Sequence, residues 1–242
     1  MKPDSTSPSH AGEAHTGRVG QRLNWLRAGV LGANDGIVST AGVVIGVAAV
    51  TPNNVVAIAT AGIAALVAGA FSMAGGEYVS VSTQRDTEKA LIAQEKWELE
   101  TRPDDELEEL AGLLRERGLT EDLAHEVAVQ LTAKDALAAH AEIELGIDEE
   151  EFTSPVAAAI SSFVSFTLGA LIPLVMILLP LGEHRARIAA VAVVMGLFLT
   201  GWISATLGGA PRGRAVARNI IMGSATMAAT YLVGSLFGVA AG

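Results

Sequence analysis

The chain has 242 residues, a mean hydropathy of +0.43 and a formal net charge of −10. Half of its residues are apolar, which excludes a disordered chain, and no basic face is offered to nucleic-acid phosphates. Cysteine is absent, which excludes disulfides, thiolate metal sites, iron–sulfur clusters and a cysteine nucleophile.

In chain order, acid and apolar residues are segregated. Residues 1–21 read as a disordered polar tail, and its first 17 residues hold no apolar stretch of the signal-peptide kind. Residues 22–83 carry two nearly charge-free runs, Ala28–Val50 and Val55–Gly76. Residues 84–151 hold 21 of the 26 acidic side chains and 7 of the 16 basic ones, a net of −14. Residues 152–242 return to apolar sequence with Phe152–Gly182, Ile188–Pro211 and Asn219–Gly242. A helix needs about 20 apolar residues to cross a bilayer, so five spans are expected. The predicted fold is all-α: a polytopic membrane protein with five transmembrane helices and a small cytoplasmic helical domain inserted between helices two and three.

The insertion reads as four helical pieces. Val79–Glu100 continues the second span without a breaker. Asp105–Glu116 follows Pro103, with an apolar stripe at Leu107, Leu110, Leu113 and Leu114, and Gly118 stops it. Thr120–Leu131 has Thr120 as N-cap and a stripe at Leu123, Val127 and Leu131. Lys134–Leu145 is stopped by Gly146.

Basic residues set the orientation. Arg18, Arg22 and Arg27 precede the first span, and Arg212, Arg214 and Arg218 lie between the fourth and fifth, whereas the loop Thr51–Asn54 has none. This puts the N-terminus and the insertion in the cytoplasm and the C-terminus outside. A short polar N-terminus and an Ala/Gly/Arg-rich composition point to a bacterial inner membrane. The spacings Gly32/Gly36, Gly42/Gly46, Gly234/Gly238 and Gly238/Gly242 suit close helix approach, within or between subunits, and Pro173 and Pro180 are expected to kink or end the third span.

Some residues are out of place in lipid. Asp35 sits about two turns into the first span beside Asn34, where a carboxylate is costly unless it faces a partner, water or an ion. Its expected role is a cation or proton site. Glu77 lies near the cytoplasmic end of the second span, and Met73 precedes it by one turn with a thioether suited to a transition metal. In the insertion, Glu95/Glu98 and Glu106/Glu109 pair at i,i+3 and His140/Glu144 at i,i+4, each on one helix face. Like charges at that spacing destabilise a helix unless a cation lies between them. Converged, the three pairs would make an oxygen-rich cage with one imidazole, suited to Mn²⁺, Fe²⁺ or Zn²⁺; unconverged, they are a solvated acidic face.

These residues carry a resemblance. LGANDG at Leu31–Gly36, FSMAGGEYVS at Phe71–Ser80, QRDTE at Gln84–Glu88, EKWE at Glu95–Glu98, then RPDDELEEL and HAEIELGI, resemble in order and spacing the vacuolar iron transporter family, over roughly residues 22–242. The resemblance implies a five-helix homodimer that moves Fe²⁺ or Mn²⁺ out of the cytosol against protons, with no resident cofactor and no enzymatic activity; Zn²⁺ is a further ion the site would bind. It implies a transport path through Asp35 and Met73 and metal ligation by Glu95, Glu98, Glu106, Glu109 and Glu144; by position, Asn34 joins the path, Glu77 either joins it or snorkels to water, and His140 joins the ligands. Two departures stand out. His140 takes the place of a methionine, which hardens the site, and Ala65 takes the place of a second membrane carboxylate. Its implied partners are metal ions, protons and the lipid bilayer, with no nucleic acid. A passive channel and a non-transporting metal sensor are the alternatives. A di-iron ferroxidase is disfavoured, because no Glu-x-x-His motif occurs.

Overall fold

The computed structural model describes residues 16–147, 154–180 and 184–241, and among these every regular element is helical. The elements are α1 (Thr16–Val50), α2 (Val55–Thr101), α3 (Pro103–Glu116), α4 (Glu121–His140), a π-helical turn (Ala141–Leu145), α5 (Pro155–Leu178), α6 (Arg185–Leu207) and α7 (Arg212–Ala241). Helix α1 begins at Thr16, so residues 16–21 of the expected tail are helical; residues 1–15 lie outside the described residues, as do Phe152 and Gly182 at the ends expected for the third span. Two compact units result, one formed by Arg18–Val79 with Pro155–Gly242, the other built on Ser80–Ser154.

Among the described residues, four helices of the first unit are long and apolar enough to cross a membrane: Leu26–Val50 of α1, the apolar part of α2, Pro155–Leu178 and Arg187–Leu207. Helix α7 (Arg212–Ala241) is not among these, its described side chains ending at Leu236. The outer surface is apolar in a way that suits lipid and not water. Along α5, Val156, Ile160, Val164, Leu168, Leu171 and Val175 are all exposed and fall on one face.

The unit holds together by backbone contact at small residues. A Cβ on Gly32 would stand 2.9 Å from the Ser162 carbonyl oxygen, and Cβ atoms on Gly36 and Gly169 would run into the carbonyls of Phe166 and Ala33. Helices α1 and α5 therefore cross with their backbones touching. Two turns on, Gly42 faces Thr230 at 3.1 Å and Gly234 faces the Gly46 carbonyl, which brings α1 onto α7. The Gly32/Gly36 and Gly42/Gly46 spacings thus serve contacts within one chain; the pairs that include Gly238 fall beyond the described side chains. A core of Ile37, Val44, Ile58, Leu174, Ile177, Val193 and Leu197 fills the centre. Pro173 is buried inside α5, which runs through it to Leu178, just short of Pro180.

In the second unit, Leu110, Ala111, Leu114, Ala124, Ala128 and Ala139 form the core, with Leu107, Val127 and Leu131 against it. Leu123, expected in the buried stripe, is 48% exposed. Ala124 and Ala128 take the inner face instead, because a small side chain at i and i+4 lets α4 lie close on α3. Helix α3 starts at Pro103, two residues earlier than expected, with Pro at the position where a missing N–H costs nothing and three carboxylates in its first turn. Thr120 stands at the N-cap of α4 in extended conformation, but its side chain makes no capping bond. The break expected after Leu131 falls instead at Asp135, which is extended (φ −166°, ψ 98°) and whose Oδ1 accepts from the Ala138 N–H at 3.0 Å. Asp135 thereby caps the last stretch of α4. Gly118 (φ +100°) and Gly146 (φ +64°) end their helices in the left-handed region, as expected.

Candidate metal centre

Three elements of the second unit meet around one imidazole. His140, the last residue of α4, is fully buried. Its Nδ1 lies 3.0 Å from Glu95 Oε1 of α2, 3.0 Å from Glu144 Oε2 of the π turn and 4.0 Å from Glu106 Oε2 of α3. Glu95 and Glu106 are buried too, and Glu144 is partly exposed. The ligand atoms of Glu95, His140 and Glu144 lie within 4.8 Å of one another, close enough to share one cation. One N–H cannot serve two carboxylates at once, and Glu95 Oε1 has no hydrogen bond that satisfies it.

The electrostatics follow from the burial. Loss of hydration raises the Glu95 carboxyl to about 7, the nearby Glu144, Glu106 and Glu98 adding to this and His140 opposing it. Burial also raises Glu106, followed by the charge of Glu109, again against His140. Glu98 and Glu109 thus act on the cluster through their charge. Glu109 is exposed, and Glu98 accepts a hydrogen bond from Gln94 at 3.2 Å. Of the six residues expected as ligands, four surround His140 Nδ1 or contain it; Glu98 and Glu109 flank them.

Three supports of this site were not anticipated. The π turn replaces the last turn of the expected α-helix Lys134–Leu145, and it carries Glu144. Arg117, just beyond α3, donates from Nη2 to the Ile143 carbonyl of that turn. Arg115 and Glu121 close the α3–α4 connection at 2.5 Å. A π turn has no sequence signature of its own, so only the i,i+4 spacing of His140 and Glu144 was readable.

The first unit holds the other expected site residues. Asp35 is half-buried in α1, and its carboxylate has no ion-pair or hydrogen-bond partner among the described residues; its backbone carbonyl accepts from Ser39 Oγ at 2.6 Å. Beside it, Asn34 Oδ1 is buried without a partner. Met73 packs against Ala70, Phe166 and Ala170. Glu77, 13% exposed, is paired with Arg27 of α1 at 3.5 Å. That pairing was missed, although Arg27 immediately precedes the first apolar run and Glu77 immediately follows the second, ends that an antiparallel pair of helices brings together. Ala65 is half-buried on α2 and offers no ligand.

A family profile described as "VIT family" matches residues 26–235. The chain is 44% identical over 231 residues to the "Vacuolar iron transporter" of Acanthamoeba castellanii, covering 95% of this chain and 84% of that protein. It is 38% identical over 220 residues to "Vacuolar iron transporter homolog 3" of Arabidopsis thaliana, with coverage of 90% and 86%. To "Vacuolar iron transporter homolog 1" of Oryza sativa it is 39% identical over 223 residues, covering 90% and 76%.

Proposed function

The chain belongs to the VIT family, and from that premise we propose that it carries Fe²⁺ or Mn²⁺ across a membrane, out of the cytosol and in exchange for protons. The observation that carries the reading is the buried cluster of Glu95, Glu106 and Glu144 around His140 Nδ1. Three carboxylates and an imidazole are a donor set for a borderline or hard divalent ion, not for Cu⁺. A cation there turns mutual repulsion into attraction and takes up the unsatisfied oxygen of Glu95. Binding displaces the proton that a carboxyl near pH 7 partly retains. Glu98 and Glu109 add negative charge at the approach. In this reading the second unit lies in the cytoplasm and concentrates the ion.

The membrane step is assigned to Asp35 and Met73, with Asn34 and Glu77 lining the path. An unpartnered carboxylate in an apolar helix has a reason to be there if it holds a proton and a metal in turn. A carboxylate cannot bind both at once, so an inward proton gradient drives metal outward. Helix α7 is taken as the fifth span, since no charged residue follows Arg218. A second copy of the chain is taken to complete the path as a homodimer, with the N-terminus inside and the C-terminus outside.

The test is Fe²⁺ flux in proteoliposomes under an imposed pH gradient. Asp35→Asn is expected to abolish uphill, gradient-dependent flux while leaving metal binding to the second unit intact. Flux in the wild type that ignores the gradient would favour a channel, no flux at all a sensor, and undiminished antiport in Asp35→Asn would remove Asp35 from the mechanism. Competition between Fe²⁺ and Mn²⁺ in the same vesicles ranks the two ions.

A further inference from the structure

We propose that the corner between α6 and α7 is a binding site for the headgroup of an anionic phospholipid, formed by Arg212, Arg214 and Arg218 beside Trp202. Four observations converge on it. The three arginines are exposed. Arg214 and Arg218 make no ion pair or hydrogen bond through their side chains among the described residues, and Arg212 makes only a ring contact. In the first unit the described carboxylates are Asp35 and Glu77, and Glu77 is already matched by Arg27. Among the described residues, neither carboxylate forms an ion pair with the cluster.

The placement along the helix indicates lipid in preference to a soluble anion. Arg214 and Arg218 are one turn apart, and Ile221 and Met222 continue the same face at i+3 and i+4, exposed at 65% and 63%. On the opposite face, Gly223 and Met227 are buried against the rest of the unit. Charge thus gives way to apolar surface on the outward face of one helix, as a lipid headgroup gives way to its acyl chain. Arg212 is held over the Trp202 ring at 5.3 Å, which fixes one guanidinium at the level where indole rings settle in a bilayer interface. Two like charges at i,i+4 repel, and a phosphodiester between them removes the repulsion while accepting hydrogen bonds from both guanidinium forks.

Native mass spectrometry of the full chain released from nanodiscs tests this, with phosphatidylglycerol and phosphatidylcholine as probes. The wild type is expected to retain phosphatidylglycerol in preference to phosphatidylcholine. R214Q/R218Q is expected to weaken that preference about 30-fold, from roughly 5-fold per arginine. R187Q, an exposed arginine at the start of α6, serves as control and should leave it unchanged. The proposal falls if the double variant keeps the preference, if R187Q loses it equally, or if millimolar inorganic phosphate displaces the lipid, which would mark a soluble-anion site. Should R214Q/R218Q fail to insert, R214K/R218K retains both charges and loses the planar forks. A preference equal to wild type in that variant overturns the proposal; a reduced one supports it. Insertion is checked with a single cysteine at Asn54, since the chain has none of its own.

Discussion

Replacing Glu95 by glutamine should stabilise the metal-free second unit at alkaline pH and leave it unchanged in acid. The carboxyl titrates near 7 in the folded unit, against 4.5 for a free glutamate side chain. A group whose pKa is raised by folding adds no penalty below its unfolded value and a growing one as pH rises to its folded value. The penalty is complete above pH 7. At 1.36 kcal/mol per pH unit it amounts to about 3 kcal/mol, of which Glu144, Glu106, Glu98 and His140 share a part. The glutamine variant cannot ionise, so it should exceed the wild type by about 2–3 kcal/mol at pH 8 and match it at pH 4.5. Urea unfolding of the full chain, with chelator present and Trp25 and Trp202 changed to phenylalanine, lets Trp97 report on this unit alone. Mn²⁺ at about one thousand times its dissociation constant should reverse the order, because it adds about 4.1 kcal/mol to the form that binds it. A glutamine variant less stable than wild type at pH 8 without metal, or a gap that does not change with pH, would refute the burial argument.

Three further outcomes follow from the packing. Gly36→Ala puts a methyl into the Phe166 carbonyl and should cost about 1–3 kcal/mol in thermal melts, whereas Gly75→Ala, with open space around its Cβ, should be neutral or slightly stabilising. Arg27→Gln leaves the nearly buried Glu77 without its counter-charge; destabilisation on the order of 1 kcal/mol is expected, recovered in Arg27→Gln/Glu77→Gln, and a double-mutant cycle without coupling would dismiss the pair. Arg117→Ala frees the Ile143 carbonyl, so amide exchange across 143–147 should quicken and Mn²⁺ affinity drop several-fold while the α3 amides keep their protection.

The legible parts of the molecule were those that depend on one stretch of chain. Lipid demands long uncharged runs, so the starts of α2 and α5 and the end of α1 were readable within a few residues. Gly118 and Gly146 were readable as stops because only a left-handed residue closes a helix that way. The acidic pairs announced one face each, but their meeting around His140 Nδ1 depends on three elements folding together, and no spacing along one helix encodes it. For the same reason Leu123 was misjudged. On α4, Ala124 and Ala128 lie innermost because α3 is close, Val127 and Leu131 pack beside them, and Leu123 falls outside. The Arg27–Glu77 pair and the Arg117 tie are tertiary as well. GxxxG spacing disclosed close approach at Gly32/Gly36 and Gly42/Gly46 without disclosing that α5 and α7 of the same chain are what approaches.

Those two crossings constrain motion. Helix α1 is in backbone contact with α5 at Gly32 and Gly36, before and after Asp35, and with α7 further along at Gly46. Main-chain atoms in contact leave no side chains to yield, so α1 can neither roll nor slide against its neighbours without breaking both seams. Helix α2 is different: only 17% of its most apolar window is buried, against 44% for α1 and α5. The carboxylate is on the helix seamed to its neighbours, and Met73 on the helix less covered by its own chain. In the transport cycle proposed above, α2 is the helix with fewer contacts from its own chain to give up, and the seams of α1 keep Asp35 in place.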